Sequence, residues 1–564
     1  MFSKLFILSL AVLLTFKVWS APSSQLPHQN LSNHVLFLMR SGDTSKALET
    51  YKVYQKQQGQ HDFELIQEMG LLLLDQGCRN PDAEIRLMTA FGAGISLNER
   101  TIYILEAGMD SGIPELQIVS LNFLGQFQND QADAILQKAM NVAHPLIRLE
   151  AAYIMAQKKT PRAYAYAESL MHRYEGPLTA VFPPFFAMIG SKEAIQMLRK
   201  LMSNSNEDVR ISAILSAAKY GRDDLLPKIR TLATHHEKAQ QEACAYALGC
   251  LKDEKGITKL EMLAHSKVPH VQWAACKSLF DLGRKEYKAI LEKAAKNKDL
   301  YAITLLGDIQ GSEELLAALA LDPNLQVKVN ATIALLHLQD SRCLPGLKEL
   351  LIADHKGLCL SKTSSKGRSL QAWRATPCAK QNFKDDPYIF EASLNMREDL
   401  LEAALDLPEK DFLSLAKTIF RNQQNDLVPL LVNLLEQLNT PGAIDLLKQY
   451  QQQVGAPLIR NYCNLALYNL KEKGPYGENI RAWISQKHHE ELIRFRPFLP
   501  RELREDGEPY QLTPEDNSSL LIASFESFVN NKDENGIDVL LDAIQNGHAK
   551  NKYALAGLLM RAIH

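Results

Sequence analysis

The chain has 564 residues, 46% of them hydrophobic and 23% charged, with a formal net charge of −2. That length exceeds one ordinary core, so it holds either several domains or one long array. The near-neutral balance excludes a global field for nucleic acid or an anionic membrane, and eight cysteines are too few for a disulfide-built scaffold.

The first element reads as a leader. Lys4 precedes an apolar run from Leu5 to Phe16, and Val18 and Ser20 are small enough for the −3 and −1 positions of a cleavage site. This predicts a signal peptide at residues 1–20, cut after Ser20. A cut after Ala21 would put bulky Trp19 at −3 and Pro22 at +1. The run is too short to span a bilayer comfortably, and no later stretch approaches the roughly twenty apolar residues of a membrane span. The bland alternative is an uncleaved tethering helix. The mature chain is therefore expected to be exported, to the periplasm and cell envelope or beyond, with no stable membrane span.

Residues 33–79 read as helices that cap an array. "SGDTSKALETYKVY" (41–54) resembles the turn of a tetratricopeptide unit, with Gly-Asp ahead of Ala47, Leu48 and Tyr51. From residue 80 a period appears. Stepping by 31 residues from Ile147 gives Ile85, Leu116, Ile147, Leu178, Val209, Gln240 and Val271; four places on stand Thr89, Ser120, Ala151, Phe182, Ala213, Cys244 and Ala275. One helical face thus recurs, with small residues where another helix must come close. A second apolar stripe returns in each unit's second half at Leu105, Leu136, Leu198, Ile229 and Leu260. Proline or an acidic residue opens many of the first helices, as at Pro81, Pro114, Pro145, Asp208 and Pro269. A lone helix–turn–helix unit cannot bury both stripes, so the units must stack.

These residues carry a resemblance. "SNEDVRISAILSAAKYGRDDLLPKIRTL" (205–232) is similar to a HEAT repeat of the short bacterial, phycobilisome-lyase type, through Asp208, Val209, Arg210, Ala213, Ala217, Ala218, Asp223, Ile229 and Leu232. The likeness covers roughly residues 80–351. The phrase "HPLIRLEAAYIMA" (144–156) returns as "APLIRNYCNLALY" (456–468), so repeats are expected to continue over 387–495. Pro183 and Pro184 should break one first helix. The resemblance implies an all-α class: an α-solenoid of stacked helix pairs, with second helices lining the concave face and exposing Lys138, Lys200, Lys228, Lys259 and Lys293.

The array pauses at 352–386. Residues 355–384 hold seven Lys or Arg and no Asp or Glu, without helical periodicity. This predicts a basic, exposed insertion loop, which is either a binding element or merely solvated. Lys362, Lys366, Arg368 and Arg374 could meet an acidic partner segment, with Trp373 as apolar anchor. Cys359 and Cys378 bracket the loop and could pair in an oxidising compartment, with Cys343 as the competing thiol. Cys244 and Cys276 fall on helix faces and read as packing. A Pro-rich polar linker is expected at 496–517 and a C-terminal helical cap at 518–564.

The chain carries no HExxH, nucleophile elbow, phosphate loop or paired CxxC. His488 and Glu491, at i, i+3, lack a recognisable third metal ligand and read as a solvated face. Catalytic residues, metal and cofactor are accordingly expected to be none. Two functions of different class follow: a non-enzymatic scaffold for one or more proteins along the solenoid, or an enzyme subunit of the HEAT-like lyase type. Oligomeric state is left open.

Overall fold

The computed structural model describes residues 28–174, 176–352, 357–452, 457–491, 493–494, 498–501, 503 and 511–561. The leader expected at 1–20 and much of the 496–517 stretch lie outside them. The described chain is an all-α solenoid of stacked helix pairs with one small two-stranded sheet. Among the described residues, no helix is long and apolar enough to cross a membrane.

First helices lie side by side in sequence order: Ala83–Ile95, Pro114–Leu124, Pro145–Lys158, Pro183–Ile189, Glu207–Lys219, Lys238–Cys250, Pro269–Asp281, Leu300–Leu306 and Leu325–His337. The row continues through Pro387–Ala403, Val428–Leu438, Pro457–Asn469, Pro514–Asn530 and Asn551–Arg561. That last helix packs against Ala83–Ile95, so the solenoid closes into a ring. From Ala83 to His337 first helices pack closely on their neighbours whereas successive second helices mostly stand further apart, which places the first helices on the inside of the curve there; beyond His337 the two layers touch their neighbours about equally. Burial agrees. Lys238–Cys250 is buried on nearly every side from Ala239 to Gly249, while the second helix Leu226–Leu232 buries Ile229 and Leu232. The expectation that second helices line the concave face is therefore corrected. The small residues at Ala151, Ala213, Cys244 and Ala275, all fully buried, let first helices approach closely enough to form the tighter layer. The lysine ladder of the second helices faces outward, and its Lys138 pairs with Glu106.

The two ends seal each other, where two separate caps had been expected. The closing unit is split: Asn551–Arg561 supplies its first helix and Phe63–Cys78 its second. Their approach depends on glycine. A Cβ on Gly557 would overlap the backbone of Gly92, one on Gly92 would overlap the carbonyl of Tyr553, and one on Gly70 would sit 2.8 Å from the Ala556 oxygen. Polar contacts lock the outside of the seam. The His61 amide donates to Glu534 at 3.0 Å, Gln67 donates to the Met560 carbonyl at 3.1 Å, and Lys550 pairs with Glu84. The expected Ala47, Leu48 and Tyr51 are buried in the adjoining helix Thr44–Gln58, which Asp43 caps through the Lys46 amide.

The repeated Pro-Leu-Ile-Arg phrase has a structural cause. Pro145 starts its helix, where its missing N–H matters least. Arg148 then reaches back to the carbonyls of Val142 (2.6 Å) and Ala143 (2.9 Å). Arg210 does the same at the same offsets, to Asn204 (2.7 Å) and Ser205 (2.9 Å). The arginine therefore ties the turn between units; the carbonyls at that offset from Arg460 lie outside the described residues. Even the polar anchor Gln240 is satisfied, accepting from Arg210 Nε at 2.9 Å and donating to the Leu232 carbonyl at 3.2 Å. Where Pro183 and Pro184 interrupt the pattern, a 3-10 turn (Gly176–Val181) and a short helix beginning at Pro183 replace the first helix. Leu178, an anchor by the 31-residue step, is 57% exposed as a result.

Candidate functional site

Residues 352–386 were expected to form an exposed loop without regular structure. They instead contain a β-hairpin laid along the inner face of the ring. β1 (Leu358–Ser364) pairs antiparallel with β2 (Gln371–Pro377), in the register Leu360↔Ala375 and Lys362↔Trp373. The alternation of "LCLSKTS" and "QAWRATP" is too short and too polar to announce strands by itself. What makes them strands is a docking edge supplied from elsewhere in the chain.

That edge belongs to Leu325–His337. Asn330 donates to the Trp373 carbonyl at 2.9 Å and accepts from its amide at 2.7 Å; Gln326 does the same with Ala375, at 2.7 and 3.1 Å. Two strand residues rise about 6.6 Å and four helix residues about 6 Å, so side chains at i, i+4 match backbone groups at i, i+2. The two amides act as a partial third strand.

The tip is held by a buried carboxylate. Glu242 is 0% exposed and accepts from Ser365 Oγ, from the Gly367 amide (2.9 Å), and from the Ser369 hydroxyl (2.6 Å) and amide (3.3 Å). His270 Nδ1 lies 2.6 Å from the other side of the same carboxylate. Gly367 is required here, because a Cβ would stand 2.6 Å from both the Ala239 carbonyl and the Glu242 carboxyl carbon. Cys359 and Cys378 form a disulfide at the open end, with Cα atoms 5.4 Å apart. Cys343 is outside that bond and buried, and burial pushes its thiol up to about 12. Cys244 and Cys276 are fully buried, and burial raises both thiols.

The five residues expected to meet a partner separate into two groups. Trp373 is 7% exposed and packs into the ring, so its expected role as an outward anchor is corrected: the indole anchors the hairpin itself. Lys362, Lys366, Arg368 and Arg374 are exposed. Lys362 lies over the Trp373 ring at 4.8 Å and 3.4 Å from Asp399. Arg368 pairs with Asp208 at 2.9 Å across the hairpin tip. Lys366 and Arg374 have no ion-pair partner among the described residues. Gln326, Asn330 and Glu242, which position this element, escaped the sequence reading. Their signal was a polar side chain inside an otherwise apolar or small-residue first helix, as in "KAQQEACAYALGC".

His488 and Glu491 do not converge. His488 is buried at the end of Tyr476–Lys487, and Glu491 lies 3.3 Å from Lys550. Among the described residues, no group of three His, Cys, Asp or Glu is arranged to hold a metal ion.

No family model matches the chain, and no curated protein matches its sequence. Solved structures match it at low similarity. The complex of CpcE and CpcF of phycocyanin lyase from Nostoc is 19% identical, over 38% of this chain and 91% of that one, with a TM-score of 0.28. The karyopherin Kap121p is 13% identical, over 94% and 64%, with a TM-score of 0.36. UNC-45 from Drosophila melanogaster is 13% identical, over 94% and 88%, with a TM-score of 0.29.

Proposed function

We propose that the chain is an exported, non-enzymatic scaffold that holds one or more proteins against the inner face of its ring. The observation that carries this reading is the hairpin: Lys362, Lys366, Arg368 and Arg374 stand exposed on an element that is fastened to the ring by Trp373, Gln326, Asn330 and Glu242. A rigid mount for cations suits an acidic segment of a protein partner, since little ordering entropy is lost on binding. The Cys359–Cys378 bond suits an oxidising compartment, the periplasm or outside the cell. Crosslinking of the intact protein in envelope fractions tests the reading. The wild type should capture a partner, and Lys366→Glu with Arg374→Glu should lose it while the fold is retained. Equal capture by both proteins, or capture by neither, refutes the assignment.

A further inference from the structure

The docking that fixes the hairpin leaves one of its edges unused. Asn330 and Gln326 take the amides and carbonyls of Trp373 and Ala375, so these groups point away from β1 toward Leu325–His337. In an antiparallel ladder, the residue opposite such a position also turns its backbone groups away from the partner strand. The register sets Trp373 against Lys362, Ala375 against Leu360 and Gln371 against Ser364. The N–H and C=O of Leu360, Lys362 and Ser364 therefore leave β1 on its far side. Bonds at the two ends of the ladder keep the same phase: Ser365 donates to the Leu370 carbonyl at 2.9 Å, and Cys378 to that of Gly357 at 2.6 Å. Among the described residues, none of these outward groups of β1 has a hydrogen-bond partner.

The direction of this edge follows from the docking. The far edge of β2 faces a helix of the inner layer, so the far edge of β1 points the opposite way, into the space the ring encloses. Neighbouring helices flank the hairpin without closing that side: Leu300–Leu306 packs on β2 and Pro387–Ala403 on β1, while Ser361, Lys362 and Ser364 stay exposed. A row of unpaired amides and carbonyls two residues apart is a template for one more strand, and proteins usually blunt it with proline, a bulge or a cover. The stretch 358–364 contains no proline, and its register runs through seven pairs without a bulge.

Charge selects what can add there. Lys362 is the one charged side chain on β1, and Lys366 and Arg374 nearby have no ion-pair partner among the described residues. A strand carrying carboxylates is attracted and a basic one repelled. A second copy of this chain does not fit, because its own edge is enclosed in its own ring and its hairpin carries the same charge. We propose that β1 takes an extended acidic segment of a partner protein as the hairpin's third strand. The inference rests on the scaffold reading and states how the partner is held: backbone pairing supplies the contact, and the cations set the sign of charge that is accepted. The disulfide and the anchored tip hold the edge in place before binding, which limits the ordering cost.

The full chain is titrated with an acetylated, amidated decapeptide of alternating Thr and Glu, and amide exchange of the protein is followed residue by residue. Binding should slow exchange at Leu360, Lys362 and Ser364, whereas Ser361 and Thr363, whose amides face β2, should change little. Ser364→Pro removes one outward N–H without altering the charge or the ladder. It should weaken binding about tenfold, while Ser364→Ala, which keeps the N–H, should bind like the wild type. The alternating exchange pattern of the wild type decides the matter if Ser364→Pro misfolds. Lys366→Glu with Arg374→Glu should also weaken binding. No binding of the decapeptide, binding without the alternating protection in β1, or equal binding by a folded Ser364→Pro variant would each overturn strand addition. Capture of a partner in the crosslinking experiment would leave the scaffold reading standing in any of those cases.

Discussion

Glu242→Gln isolates the force that holds the hairpin tip. The carboxylate is 0% exposed, and its two oxygens take different donors: Ser365 and Ser369 on Oε1, and the Gly367 amide on Oε2 with His270 nearby. Glutamine keeps one acceptor, and whichever way its amide turns the NH2 faces a backbone N–H, that of Gly367 or that of Ser369, so a charge-assisted bond becomes a donor facing a donor. A hydrogen bond to a charged group contributes roughly 1.5–3 kcal/mol, and a buried polar group left unpaired costs about 1–3 kcal/mol. The two losses concern the same contact, so the net effect on the tip is about 3 kcal/mol. Every 1.4 kcal/mol is tenfold, and the open tip should gain population on the order of a hundredfold. The base should stay in place, because the disulfide and the Gln326 and Asn330 pairs are untouched. Native-state hydrogen exchange should show faster exchange at the Gly367 and Ser369 amides, and trypsin should cut sooner after Lys366 and Arg368. Unchanged exchange and unchanged cleavage would refute the argument that Glu242 fastens the tip.

Gly557→Ala should force the ring seam apart at Gly92, destabilising by about 1–3 kcal/mol as overpacked cores do; a lowered melting temperature and an expanded scattering profile check this. Peptide mapping of non-reduced protein from its native compartment should find Cys359 linked to Cys378, and free thiols at both positions would end that assignment; replacing both by serine should cost up to about 3 kcal/mol on the chain-entropy account. Burial raises Glu398 from 4.5 to about 7, with Asp426 and Asp516 adding to the burial effect and Arg501 opposing it. The folded chain therefore holds that proton more tightly than the unfolded one, and stability should fall as pH rises from about 4.5 to about 7. Glu398→Gln should flatten that part of the stability profile, measured by chemical denaturation at several pH values.

The 31-residue step, the small residues four places after each anchor and the opening prolines were sufficient for helix pairs and stacking, because those are local requirements of a helix that must meet another helix. Pro183 and Pro184 likewise announced the broken helix from backbone chemistry alone. The cysteine bracket of 355–384 pointed to the disulfide. What the local pattern could not express was which surfaces meet at a distance. Ring closure depends on Gly92 and Gly557, far apart in sequence, lying at one crossing. The hairpin depends on Gln326 and Asn330 presenting an edge to a segment with little strand pattern of its own, and on Glu242 receiving its tip more than a hundred residues upstream. Trp373 turned inward for the same reason: an indole beside an apolar inner layer gains more from burial than from solvent. Periodicity is written in neighbouring residues, but closure and docking are decided by the curvature that the stacked units accumulate.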